Sequence, residues 1–192
     1  MMPTHHDESG FSLIETVVAM GILATGLLGL AGVFTLGMAH MATSSANLVA
    51  REKAREAVES VHTARDTRTI TWCQIYNVTG TRSAECATEP PGVFLDGAQP
   101  LKDPGDDGLV NTADDGSVEE QRLPGPDGIL GNTDDVHVPM TNYTRTILIS
   151  NLTQDDGTGI NQDLRKITVT ITYNVGPVKR SYVLNTYISR IS

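Results

Sequence analysis

The residues best equipped for chemistry are carboxylates, and their spacing repeats. Gly105-Asp106-Asp107-Gly108-Leu109-Val110-Asn111-Thr112-Ala113-Asp114-Asp115 aligns without gaps, at an offset of 20, with Gly125-Pro126-Asp127-Gly128-Ile129-Leu130-Gly131-Asn132-Thr133-Asp134-Asp135. Both segments read Gly-x-Asp-Gly, two aliphatics, then Asp-Asp, and chance rarely keeps that many matches in register. Calcium wants about six to eight oxygens, and aspartates with backbone carbonyls in a glycine-turned loop supply them. Asp107 and Asp127 would open the two sites; Asp114, Asp115, Asp134 and Asp135 would close them. The spacing is not that of an EF-hand, and a duplicated, solvated acidic loop fits the same residues. Calcium is the one cofactor the composition suggests.

Two cysteines, Cys73 and Cys86, lie outside any Cys/His cluster, which argues against zinc. If this part of the chain is exported they would pair. The bridge would close a short loop, worth about 3 kcal/mol on the chain-entropy model. Two buried free thiols are the alternative. His40, His62 and His137 are scattered, and no nucleophile elbow, phosphate loop or H-E-x-x-H run appears. The expectation is a protein that is not an enzyme.

One further carboxylate stands in an unusual place. Glu15 is followed by 24 residues, Thr16 to Ala39, without a formal charge. An acid at the centre of a membrane helix costs about 2.5–3.5 kcal/mol on insertion scales. A site near the membrane interface, from which the carboxylate reaches water, would cost little.

The sequence around it, Gly10-Phe11-Ser12-Leu13-Ile14-Glu15 and then the apolar run, resembles the processing site of the type IV pilin family, with minor pilins and type II secretion pseudopilins among its members. The resemblance covers about residues 10–64. It implies that a prepilin peptidase cuts after Gly10 and methylates the α-amine of Phe11. It implies that Glu15 then pairs with the α-amine of a neighbouring subunit. Opposite charges in a low dielectric attract strongly, and an unpaired one is expensive. It implies as partners other pilins or pseudopilins, met through the N-terminal helix, and an inner-membrane assembly platform. The implied location is the bacterial inner membrane, single-pass with the C-terminal domain in the periplasm, and then a pilus or pseudopilus. Some pseudopilins are similar in holding calcium in an Asp-rich loop. The sequence departs from the family pattern in lacking Lys or Arg in its leader and Pro in its apolar half. Arg51, Lys53 and Arg55 beyond the span would, on the positive-inside rule alone, place that end in the cytoplasm.

The elements that must position these groups follow from periodicity. Residues 1–10 are polar and read as the leader. Residues 11–41 read as a membrane or filament-core helix: the uncharged run would span about 36 Å, against a bilayer core of about 30 Å. Soluble cores rarely need a helix apolar on every face. A secretory signal peptide would need a basic start and a cleavage site after the apolar core. Residues 42–66 read as an amphipathic continuation. Ala46, Ala50, Ala54, Ala57, Val58 and Val61 recur at steps of three and four, a narrow stripe suited to packing on a sheet. Residues 67–192 read as a globular domain, irregular at first, with a Gly/Asp-rich loop at 103–137. Strands are expected at 143–152, 167–174 and 178–191, from alternation such as Ile167, Val169, Ile171, Tyr173 against Thr168, Thr170, Thr172. Asn174-Val175-Gly176-Pro177 marks a hairpin turn. The fold class is α+β, a long N-terminal helix packed on a small antiparallel sheet with an acidic loop insertion.

Charge narrows the function. The chain of 192 residues carries a net −9. Eleven acids against Lys102 and Arg122 concentrate that charge between residues 96 and 135. Phosphate-backbone binding needs clustered Lys and Arg, so nucleic acid is not an expected partner. The reading is a structural minor pilin or minor pseudopilin that starts or caps assembly. A calcium-dependent adhesive subunit, or a signal-anchored exported protein that never assembles, would also fit these features.

Overall fold

The computed structural model describes residues 12–154, 157 and 159–191. Helix α1 runs Leu13–Asp66. The chain divides into two compact units at residue 44.

In the first unit no proline interrupts the helix, and its large apolar side chains are exposed on every face. Thr16, Thr25, Thr35 and Thr43 turn their hydroxyls back onto carbonyls three or four residues earlier. A hydroxyl satisfied within its own helix can sit in an apolar surrounding at little cost. α1 is long and apolar enough to cross a membrane.

In the second unit the helix changes character. Ala50, Ala54, Ala57, Val61 and Ala64 are buried, with Ala46 and Val58 partly so. The expected stripe is therefore the packing face, part of one core with the inward residues of the sheet. Arg68 takes a left-handed conformation (φ 60°) just past the helix, and Thr69 N donates to Ala64 O, closing the last turn.

Among the described residues six strands follow: β1 Gln99–Pro100, β2 Glu120–Leu123, β3 Val136–Pro139, β4 Tyr143–Thr153, β5 Ile160–Val175 and β6 Val178–Ser189. They form a sheet of order β1-β4-β5-β6 and a separate β2-β3 pair. Register aligns the inward residues: Ile147 with Val169, Ile149 with Ile167, Arg145 with Ile171, Leu184 with Val169. A slip of one residue would turn every one of them outward. Val175 pairs with Val178 across a two-residue turn in which Gly176 has φ 58°. Gly first and Pro second suits a hairpin turn of the II′ kind.

Two differences from the sequence reading have clear causes. β5 begins at Ile160, seven residues before the expected start at 167, because Asn161, Gln162 and Asp163 hide its alternation. The acidic region, expected as loop, holds the β2-β3 pair, whose eight residues are all exposed and so carry no burial pattern to read.

Candidate functional site

Gly10 and Phe11, the expected processing pair, lie outside the described residues. Glu15 sits in the first turn of α1, where Ser12 O accepts the Glu15 and Thr16 amides at 3.0 and 3.2 Å. Ile14, Val18, Ala19 and Ile22 surround it in a shallow apolar depression. Among the described residues its carboxylate has no ion-pair partner. An anion so placed favours a cation brought by another chain or by a new terminus. It also suits the positive end of the helix dipole.

The acidic repeat keeps its twofold likeness in three dimensions. In the first loop Gly108 N donates to Gly105 O, Leu109 N to Asp107 Oδ1 at 2.8 Å, and Asn111 N to Asp115 Oδ2 at 2.9 Å. In the second, Gly128 N donates to Gly125 O, Ile129 N to Asp127 Oδ1 at 2.8 Å, and Gly131 N to Asp135 Oδ2 at 2.7 Å. Glycine is required at the head of each. A Cβ on Gly105 would fall 2.2 Å from Asp114 Oδ2, and one on Gly125 would fall 2.2 Å from Asp134 O.

These bonds show what the aspartates do as placed: they order the loops by accepting backbone amides. Asp115 takes both Asn111 N and Thr112 N, and Asp114 Oδ1 takes the Thr112 hydroxyl at 2.8 Å. That hydroxyl holds the Asp114 carboxyl below its usual range. Partial burial, joined by repulsion from Asp114, Asp115 and Asp106, pushes Asp107 up. Among the described residues no three His, Cys, Asp or Glu side chains converge as a metal would need. The loops differ in other polar contacts: in the second, Asn132 Nδ2 donates to Asp127 Oδ2 at 2.6 Å. Asp135 Oδ1 is buried without a hydrogen-bond partner, with Arg122 Nε 3.8 Å from Oδ2.

The aliphatic pairs differ more. Leu109 and Val110 are buried, whereas Ile129 and Leu130 are 62% and 59% exposed. Only the first pair reaches the core. Beside it, Asn111, held at φ 62°, receives Arg145 Nε at 2.8 Å and donates to Arg145 O at 3.1 Å.

Cys73 and Cys86 form a disulfide, with Cα atoms 5.2 Å apart. Near it lies a buried cation that pattern reading did not single out. The Arg165 guanidinium stacks between the Trp72 and Tyr76 rings, 3.9 and 3.7 Å from their centroids, and Nη1 donates to Ile75 O at 3.0 Å. Burial lowers its pKa to about 10, so it stays charged at neutral pH. A second unforeseen cluster joins Lys53 on α1, Glu119 before β2 and Arg145 on β4. A signal for both arginines existed: each occupies an inward position of an alternating strand.

A family model for the prokaryotic N-terminal methylation motif matches residues 5–31. No curated protein and no solved structure matches the chain. Coming at the head of a helix long and apolar enough to cross a membrane, that motif fits a type IV pilin-like protein with a prepilin-type N-terminus.

Proposed function

We propose that the chain is a structural minor pilin or minor pseudopilin that helps to start or cap a type IV pilus or a type II secretion pseudopilus. Proteins with this motif are structural rather than enzymatic. Prepilin peptidase would cut after Gly10 and methylate the amine of Phe11. The helix would wait in the inner membrane with the second unit in the periplasm, then join other pilin helices at the assembly platform. The observation that carries the reading is Glu15, a carboxylate with no ion-pair partner among the described residues, in the first turn of α1 just before its uncharged run and within the matched motif. Freed, the Phe11 ammonium of one subunit offers Glu15 of the next a partner in low dielectric, where leaving either alone is costly. The Cys73–Cys86 disulfide also favours an exported domain.

Mass spectrometry of the mature chain tests the reading. A methylated Phe11 N-terminus is expected, with filament incorporation lost in Glu15→Gln. An intact leader, or undiminished incorporation of Glu15→Gln, would leave a signal-anchored exported protein that does not assemble.

A second reading has its own observation. The orphaned Asp135 Oδ1, close to Asp127 and Asp134 in sequence, supports calcium at the second loop, with Asp107, Asp114 and Asp115 as the equivalent set in the first. The donors are hard oxygens of the kind calcium takes. Bound there, calcium would order a face for adhesion or partner binding. Calorimetric titration of the whole protein with calcium, repeated with Asp135→Asn, decides it: loss of the second loop's share of the heat is expected, and no heat at millimolar calcium, or heat unchanged by the substitution, ends the idea.

A further inference from the structure

The two edges of the main sheet are treated differently. β1 covers only the Thr144–Arg145 end of β4. Beyond it, side chains finish the edge: Asn77 Nδ2 donates to Ile147 O, and Asn77 Oδ1 accepts Ile149 N, both at 2.8 Å. The first acidic loop closes over the same edge, with Asn111 on Arg145 and Leu109 and Val110 in the core. β6, at the opposite edge, has no such cover. Among the described residues its only backbone group held by a side chain from outside the strand is Ser189 O, bonded by Arg65 at 2.8 Å. A bare edge of this length is a template for another strand.

Alongside β6 runs an open groove of about 860 Å³, between α1 and the strand. Leu48, Val58, Tyr182 and Leu184 give it an apolar lining, and its charges balance, Arg51 and Arg55 against Glu52 and Glu59. That volume falls within the range of about 300–1,000 Å³ typical of ligand sites.

The molecule also carries a part shaped like the cover that β6 lacks. The β2-β3 hairpin and the second acidic loop form an arm that leaves Leu123, Ile129, Leu130, Val136 and Val138 exposed. A lone two-stranded hairpin is marginal in water and gains from joining a larger sheet. Its charge is complementary to the open edge: the arm holds Glu120, Asp127, Asp134 and Asp135 against Arg122, while β6 holds Lys179 and Arg180 and no acid.

We propose that the second acidic loop of one copy docks on the β6 edge of a second copy, placing Ile129 and Leu130 in the groove between α1 and β6. The first loop covers the β4 edge of its own sheet; the second does the same for a neighbour's β6. Knob and groove lie on different surfaces, so the contact is heterologous and can continue from copy to copy. The protein would then enter an assembly as a short run of copies. This goes beyond the role of the N-terminal motif and does not depend on it.

Cross-linking of the full-length protein in detergent micelles tests the proposal. One preparation carries Leu130→Cys and the other Leu48→Cys, a groove position 58% exposed. A short bis-maleimide should join them far better than it joins Leu130→Cys to Leu148→Cys, on the outer face of β4. Adding Ile129→Asp to the Leu130→Cys preparation should cut the yield about tenfold or more, since a carboxylate would enter an apolar groove, while Ile129→Val should preserve it. Glu15→Gln in both preparations should leave the yield unchanged. Equal yields at Leu48 and Leu148, indifference to Ile129→Asp, or loss with Glu15→Gln would each overturn the proposal, the last by assigning proximity to helix packing.

Discussion

Lys53, on α1, meets the Glu119 carboxylate at the foot of the β2-β3 arm, and Arg145 Nη1 lies 3.7 Å from the other oxygen of Glu119. The trio ties helix, arm and sheet together. Burial raises the Glu119 carboxyl despite the hydrogen bond and charge of Lys53. Burial acts to lower Lys53, but bonds to Glu119 and Glu56 outweigh it and hold it above its usual value. The two shifts differ in what they say of one contact: the ammonium gains from it, while the carboxylate is not fully repaid for leaving water. The more buried partner, Glu119, sets the net effect.

Lys53→Met should therefore destabilise the second unit by about 2 kcal/mol at neutral pH, by removing the nearest counter-charge of a buried acid. The sign with pH follows from the raised carboxyl. Stability linked to Glu119 is present below about pH 4.5 and is lost as pH rises through its elevated folded value. Without Lys53 that loss deepens, so the penalty should grow from acid to neutral pH. Urea melts at several pH values measure it; a penalty independent of pH would deny Glu119 its part.

Arg165→Met should cost about 3 kcal/mol, from two lost ring contacts and carbonyls left without their donor. Arg165→Lys should recover little, because an ammonium cannot stack flat between Trp72 and Tyr76 while serving the same acceptors. Thermal melts of the two variants check this.

Reduction of Cys73–Cys86, or replacement of both by Ser, should lower stability by about 3 kcal/mol, as expected for a short closed loop. The Trp72–Arg165 stack adjoins the bridge, so Trp72 fluorescence should change on reduction before global unfolding.

Gly105→Ala and Gly125→Ala make the same chemical change in two loops of one design. Both would thrust a methyl against an aspartate. The first should cost about 2 kcal/mol because its loop carries Leu109 and Val110 into the core. The second should cost less, about 1 kcal/mol, because its loop carries nothing inward, although the methyl must still displace the backbone Asp134 O. Equal losses in denaturant titrations would mean that the second loop also bears on the core.

Much of this architecture was written in short-range pattern. The span without charge, the Ala50–Ala54–Ala57–Val61 stripe and the Ile167-to-Tyr173 alternation each repeat with the period of one element, so neighbouring residues suffice to read them. Glu15 stood out for the same reason, as a lone carboxylate before an uncharged run. The aspartates were legible as a repeated loop, but their use was not. Whether Asp107 and Asp115 accept amides or face a cation depends on backbone geometry that composition leaves open.

By itself the sequence determined the helix with its two characters, the hairpin of β5 and β6, and the likeness of the acidic loops, all set by local period and by glycine and proline. Only the tertiary structure decided which loop buries its aliphatic pair, what partners the inward arginines meet, and which sheet edge stays bare. Those outcomes join groups far apart in the chain. Leu109 and Ile129 have the same local surroundings, so burial of one and exposure of the other comes from what each meets across the fold.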